Sequence, residues 1–499
     1  LGSFFIDVSR EVYLPMAMND GGVLYKDIFN VYAPLGYQLN AFITSVFGNS
    51  LNVFYLTGLI NSFFIIAALY LISKLFLPLK LTKALCAFFI TACVFSNSVF
   101  NAAANYIFPY SYSMVYALNA FLWSLLCILY YIKNENKRFL YAASILFGAS
   151  IAFKYEFIFF GFVLIYFLFK NTSLKEKIIS TVSFFAVPCF SALSLYFQGV
   201  NFEDLKNALD YICLLSKSES VKILYTSLGF FPSIEFFKVL IINAVYAFAA
   251  GILICIPLHF SGKIKNIINF IIFTLILLLV LFVFLSINAC IFSWIGLVSA
   301  VLAVIFIIKN RSSSLDLNKK LYLILAVSSI LAGIKCIFNI SFNSYGNYCM
   351  PLYILCCTVY VYNNVPESLR NTVKKYAVYI FGFLSCIYLS ANLYNSHLHN
   401  TGMIKTDKGI FYADEKYSGV INQVYESLKE SVPSGSRVLV LPDGAMLNYF
   451  TDRISYNKYY YLTPPNVEIF GAENIINNLK NNPPEFIVIH PISYKDYGQ

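Results

Sequence analysis

Long apolar runs alternate with short polar connections along most of the chain, and this alternation predicts a bundle of membrane helices. A span needs about 20 mostly apolar residues. Runs near 52–76, 84–100, 112–132, 139–153, 157–170, 178–197, 237–259, 266–287, 291–308, 321–338, 348–363 and 376–395 read as twelve spans. The apolar start, Leu1 to Ile6, reads as the end of a truncated further one. Two stretches break the pattern. Residues 1–51 hold a charged segment punctuated by Gly and Pro, and the chain from 396 to 499 loses the long apolar runs. The predicted architecture is therefore an α-helical polytopic membrane protein, with a first outer loop at 1–51, a multi-span domain at 52–395 and a small α/β domain at 396–499.

Charge then orients the spans. Every second connection is basic: Lys74/Lys80/Lys83, Lys133/Lys137/Arg138, Lys170/Lys175/Lys177, Lys263/Lys265, Lys309/Arg311/Lys319/Lys320 and Arg370/Lys374/Lys375. Lys and Arg are retained on the cytoplasmic side, so the first loop, the 198–236 connection and the C-terminal domain are expected outside. The net charge of +10 is mostly this topological signal, and no basic face of the kind that binds nucleic acid is visible. Composition agrees: 59% of residues are hydrophobic and 12% charged, against about 25% charged in soluble domains. The 39 Tyr against 2 Trp make Tyr the main interfacial aromatic.

Within the 198–236 connection, Leu205, Ala208, Leu209 and Ile212 share one helical face, which predicts an amphipathic helix along the outer interface. In the tail, Asp414 is placed to cap a helix to about 430, with Val420, Val424 and Leu428 at helical spacing. RVLVLP and EFIVIH read as strands, with helices at DGAMLNYFTD and 472–481 between them, which gives a parallel β-α-β unit. Such a unit can serve as a lid or packing module with no catalytic residue. The twelve cysteines lie almost all in apolar spans and act as small hydrophobes, so no disulfide framework or zinc spacing is expected. His397 and His399 stand just after the last span, with no third ligand near in sequence.

The candidate chemistry sits in the first loop. Asp7, where a membrane helix would end, is a partly desolvated carboxylate suited to general-base work, or a helix cap. Arg10 follows three residues later, placed to hold Asp7 ionised, to bind an anion, or to snorkel to headgroups. Lys26 and Asp27 are neighbours, while Tyr25, Tyr32 and Tyr37 offer apolar faces with hydroxyl tips and Phe29 a plain apolar ring. Lys154, between two spans, either pairs with Glu156, snorkels, or meets an anion, and Lys335 near an outer helix end either meets a lipid phosphate or snorkels to the headgroups.

These residues carry a resemblance. Asp7, Arg10, Gly22, Tyr25, Lys26, Asp27, Pro34, Leu35 and Tyr37 resemble the first outer loop of the GT-C superfamily of polyprenyl-phosphate-sugar-dependent glycosyltransferases. The similarity is narrower to the branch of protein O-mannosyltransferases and lipid A aminoarabinose transferases. NAFITSVFGNSLNVFYLTGLI and the tail phrases VLVLPDGAMLNYFTDR and NNPPEFIVIH are similar to the same branch. The chain departs from it at Val8, where a second acid is usual, and at residues 32–34, which read Tyr-Ala-Pro instead of Lys-Pro-Pro.

The resemblance implies inverting transfer from a lipid-phosphate sugar to a glycan, lipid or protein hydroxyl, on the outer face of a bacterial inner membrane. It implies Asp7 as base and Arg10, Lys26, Lys154 and Lys335 as phosphate-binding cations. Glu11, Tyr25, Asp27, Tyr37, Glu156 and Tyr345 would be substrate-binding residues. With no Asp-x-Asp pair in the loop, no obligatory metal is expected. A transporter or flippase of lipid-linked sugars, or a polysaccharide polymerase or ligase, are the alternatives.

Overall fold

A computed structural model describes residues 8–95, 105–170, 172–227, 295–311, 315–334, 348–455 and 458–489, with positions 234, 237–238, 241–242, 245 and 494 besides. The expected base Asp7, the cation Lys335, Tyr345 and most of the predicted 237–259 and 266–287 spans lie outside the described residues.

The chain opens with α1 (Ser9–Asn19), a glycine turn, and α2 (Leu35–Phe47). The bundle follows: α3 (Leu51–Lys74), α4 (Leu79–Phe89) continuing into a π-helical turn (Ile90–Val94), α5 (Tyr112–Asn134) and α6 (Lys137–Phe153). A 3-10 turn (Tyr155–Phe160) leads into α7 (Gly161–Lys170), α8 (Leu174–Phe197), α9 (Phe202–Leu215) and α10 (Glu219–Ser227). After the undescribed stretch come α11 (Ile295–Asn310), α12 (Leu317–Ala332), α13 (Met350–Asn364) and α14 (Glu367–His399). Among the described residues α3, α5, α8 and α14 are long and apolar enough to cross a membrane.

Helix ends follow the sequence closely. The Ser111 hydroxyl caps α5 by accepting from the Met114 amide at 3.3 Å. Ser173 with Glu176 and Asn201 with Asp204 form capping boxes on α8 and α9. α14 runs well past the expected 376–395, because no proline interrupts it between Pro366 and its last turn. Its 33 residues span about 50 Å, more than the hydrocarbon thickness of about 30 Å, so Arg370 and Lys374 stand on a helical extension beyond the apolar stretch.

Small residues let the helices approach. A β-carbon on Gly58 of α3 would overlap the Ile107 carbonyl, and one on Gly148 of α6 would overlap the Phe184 carbonyl of α8. Both obstacles are backbone and cannot swing aside. Gly58→Ala is therefore expected to lower stability by about 1–3 kcal/mol. Gly419→Ala, in an open part of a C-terminal helix, should raise it by about 0.5–1 kcal/mol. Thermal unfolding of the detergent-solubilised variants checks both signs.

The tail forms a compact unit. β1 (Gly402–Thr406) and β2 (Gly409–Ala413) make an antiparallel hairpin that the sequence reading missed. α15 (Glu415–Ser431) starts at the predicted cap, where Asp414 accepts from the Lys416 amide at 3.0 Å. Its buried stripe is Ser418, Ile421 and Tyr425, while Val420, expected on the inner face, is exposed. β3 (Val438–Leu441) pairs in parallel with β4 (Phe486–Ile489), and α16 (Ala445–Thr451), α17 (Pro464–Phe470) and α18 (Ala472–Asn481) lie between them. His397 and His399 occupy the last turn of α14 and are exposed.

One core fills the helical bundle. A second joins Val8, Val12 and Tyr13 of α1 to Tyr112 and Tyr116 of α5 on one side and to Ile421, Val440 and Tyr449 of the tail on the other. Thus α1 is held between the bundle and the C-terminal unit. The Tyr13 hydroxyl donates to the Ser455 carbonyl and accepts from the Ser455 amide, both at 3.1 Å. The Phe29 amide donates to Lys458 O at 3.1 Å, and the Leu51 amide to Lys408 O at 2.8 Å. On α9, Ala208 and Tyr211 are buried and Tyr211 bonds Asn466 of α17, while Leu205, Leu209 and Ile212 stay exposed. The apolar stripe predicted for the outer interface is therefore split: only Ala208 turns inward, and the other three positions keep an open face.

Candidate active site

α1 presents Arg10 and Glu11 to the foot of α5. Tyr112 is the first residue of α5, and its amide has no partner within its own helix. The Glu11 carboxylate supplies one, accepting from the Tyr112 amide through Oε2 at 2.8 Å. A negative charge at a helix N-terminus is also favoured by the helix dipole. The other oxygen, Oε1, accepts from the Tyr37 hydroxyl of α2 at 3.2 Å and lies 3.6 Å from Arg10 Nε. Glu11 is fully buried. Burial pushes its carboxyl up from the usual range, more than Arg10, the Tyr112 amide, Lys154 and the Tyr37 hydroxyl pull it back.

Two cations converge beside it. The Arg10 guanidinium carbon lies 4.3 Å from the centre of the Tyr32 ring and 5.8 Å from that of Tyr110. The Lys154 ammonium lies 4.8 Å from the same Tyr32 ring. Lys154 breaks the chain between α6 and the 3-10 turn: its extended backbone (φ −154°, ψ 117°) ends the helix and turns the side chain into the protein. The sequence placed Lys154 at such a break between two spans, and the structure has it there. Arg10 Nε has no hydrogen-bond partner among the described residues, and the side chain is 14% exposed. A ring face attracts a cation without occupying its N–H donors, so the tyrosines hold the guanidinium and leave its hydrogen bonds to be made.

The tail closes this region from above. Buried Tyr460 and half-buried Tyr461 lie within electrostatic reach of both Arg10 and Asp443, the latter buried just after β3. The Tyr460 ring packs 5.3 Å from that of Tyr13.

The predicted residues separate into two groups. Arg10, Glu11, Tyr37 and Lys154 come together. Glu11, expected to touch substrate, instead has both oxygens engaged by protein groups. Tyr25 is buried and donates to the Tyr32 carbonyl at 2.6 Å, so it shapes the loop that carries the ring platform. Its φ of +71° puts it in the left-handed region, which lets the loop double back there. Lys26 and Asp27 are exposed: Lys26 reaches toward Gly199, and Asp27 accepts from the Val23 amide at 3.1 Å. Neither forms an ion pair with the Arg10–Glu11–Lys154 group, because the tight turn at residues 23–28 aims both outward. Glu156 is half-buried in the 3-10 turn. The sequence reading missed Tyr110, Tyr112, Tyr460, Tyr461 and Asp443. Tyr32 was visible as an aromatic, but not as a shared seat for two cations.

Part of the chain is similar to known proteins. Residues 32–196 match the family model described as dolichyl-phosphate-mannose-protein mannosyltransferase, so the chain resembles the GT-C glycosyltransferases. The matched stretch holds Tyr32, Tyr37 and Lys154, while Arg10 and Glu11 lie before it. Among solved structures, a similar chain is that of ArnT from Cupriavidus metallidurans, in a crystal structure bound to undecaprenyl phosphate. It is 8% identical, with 97% of this chain and 85% of that chain covered and a TM-score of 0.43. No curated protein matches the chain.

Proposed function

We propose that this protein is a membrane glycosyltransferase that moves a sugar from a polyprenyl-phosphate donor to an acceptor hydroxyl, with inversion, on the outer face of a bacterial inner membrane. The observation that carries the reading is the pair of cations, half-buried Arg10 and buried Lys154, seated on one tyrosine ring with the Glu11 carboxylate beside Arg10. An unfilled guanidinium in such a setting suits a phosphate oxygen, which it can grip through two N–H groups. The family match over residues 32–196 supports a lipid-linked donor.

In the reaction, the acceptor oxygen bonds to the anomeric carbon as the bond from that carbon to the phosphate oxygen breaks. The bonding pair leaves with the phosphate, whose charge grows in the transition state, where Arg10 and Lys154 stabilise it. The acceptor proton goes to Asp7. The chain's own cations supply the positive charge in this scheme, and no obligatory metal is invoked. Glycan, lipid and protein hydroxyls all remain in the acceptor class.

The test supplies the purified protein with a polyprenyl-phosphate sugar and follows release of polyprenyl phosphate. Wild-type turnover is expected, with Asp7→Asn slower by about 10²–10⁴-fold. Movement of the donor between leaflets without cleavage would instead identify a flippase and end the transferase reading.

A further inference from the structure

Glu11 is an unusual residue to find against a phosphate site, because its charge opposes the ligand. It is also the most completely buried charge in the cluster. The titratable and charged groups facing it come from every neighbouring element. Those acting on Glu11 itself are Arg10 on its own helix, Tyr37 from α2, Tyr112 and Tyr116 from α5, Lys154 at the end of α6 and Tyr348 just before α13, and the tail adds Asp443, Tyr460 and Tyr461 around Arg10. The tyrosines are neutral at physiological pH. Beside Arg10 and Lys154, the Glu11 carboxylate takes one positive charge off this immediate set.

We infer that Glu11 tunes the charge of the cation site so that it favours a lipid phosphodiester monoanion over a lipid phosphomonoester dianion. This rests on the proposed transfer reaction, whose donor is such a diester and whose leaving product is such a monoester. Without Glu11 the site would carry one more positive charge, hold the product more tightly than the donor and slow its departure. Glu11 removes that advantage. It acts through the field it adds next to Arg10 and Lys154, so it is a positioning residue.

A purely structural role, capping α5 and tethering Tyr37, predicts something different. It would change affinity for all ligands alike. The distinguishing measurement is a ratio. Polyprenyl phosphate is mostly a dianion at about pH 8, since its second ionisation lies near pH 6. Polyprenyl sulfate has the same tetrahedral head and chain but stays a monoanion. Binding of each to the detergent-solubilised full chain is measured for wild type and Glu11→Gln. The glutamine amide can still accept from the Tyr112 amide, so the cap is retained. The phosphate-to-sulfate affinity ratio should rise in Glu11→Gln by about tenfold or more, the scale of one unit charge a few ångströms away in a partly buried site. A ratio unchanged within about twofold overturns the inference.

A second measurement does not depend on that variant folding. The sulfate ligand keeps its charge as pH falls, so any gain in its affinity between about pH 8 and pH 5 reports protonation of the protein. Wild type and Asp7→Asn should both gain, because Glu11 takes up a proton in each. A flat profile in Asp7→Asn would overturn the inference. Failure of wild type to bind either lipid would overturn the transferase reading itself, and this inference with it.

Discussion

Arg10→Met is expected to lower release of polyprenyl phosphate by about 10²–10³-fold while the protein stays folded. The guanidinium lies on the rings of Tyr32 and Tyr110, and no hydrogen bond to it occurs among the described residues. A methionine can keep the packing of the long stem and lose only the charge and its donors. The charge on the leaving phosphate is greatest in the transition state, so the loss should fall mainly on kcat, with a smaller change in KM. Lys154→Met should act in the same direction. The double variant should be little worse than Arg10→Met alone, because residues that act as one unit are not additive. Arg10→Lys should recover only part of the rate, since an ammonium cannot grip two oxygens through a planar fork. Turnover of Arg10→Met within a few-fold of wild type would mean that the cation pair does not carry the phosphate.

Much of the fold was legible because it rests on local rules. Apolar runs of sufficient length gave α3, α5 and α8 to within a few residues, and Asp414 marked a helix start through cap chemistry. The parallel pairing of β3 with β4 followed from the strand-helix-strand order. The hairpin at 402–413 was not legible, since its strands are five residues each and its outward positions are apolar as well as polar. The inner face of α15 was misjudged by one position. Helical spacing gives a periodicity, but its phase is set by what the helix packs on, and here Tyr425 and Ile421 face the tail's core in place of Val420.

The site shows the same division. Arg10 and Lys154 stood out as charges in apolar surroundings, each with an anion-binding option beside blander ones. That they share one tyrosine ring could not be read, because 144 positions separate them in the chain and only the packing of α1 against the bundle joins them. At residues 32–34, where the resembling loops read Lys-Pro-Pro, this chain has Tyr32, and Lys154 from the end of α6 lies over its ring. Lys26 and Asp27 misled for the opposite reason: they are conspicuous in sequence, and a tight turn sends both to solvent.

Glu11→Ala is expected to destabilise the protein by about 3–5 kcal/mol, the scale for breaking a buried charge cluster from one side. The substitution leaves the Tyr112 amide and the Tyr37 hydroxyl without their shared acceptor and removes the carboxylate that faces Arg10, in a region closed by the C-terminal unit. Glu11→Gln should lose clearly less, because its amide oxygen still serves the Tyr112 amide. Thermal unfolding in detergent, followed by helical circular dichroism, separates the two variants. The pH dependence gives an independent signature. Burial raises the Glu11 carboxyl above its unfolded value, which is about 4.3, so the folded state holds that proton more firmly. The contribution of Glu11 is then fully present below that unfolded value and declines as pH rises through the raised folded one. Wild type should show this downward slope in stability on the acidic side of neutrality, and both Glu11 variants should lack it. A slope that persists in Glu11→Gln would belong to another group and would remove Glu11 from the titrating centre of the site.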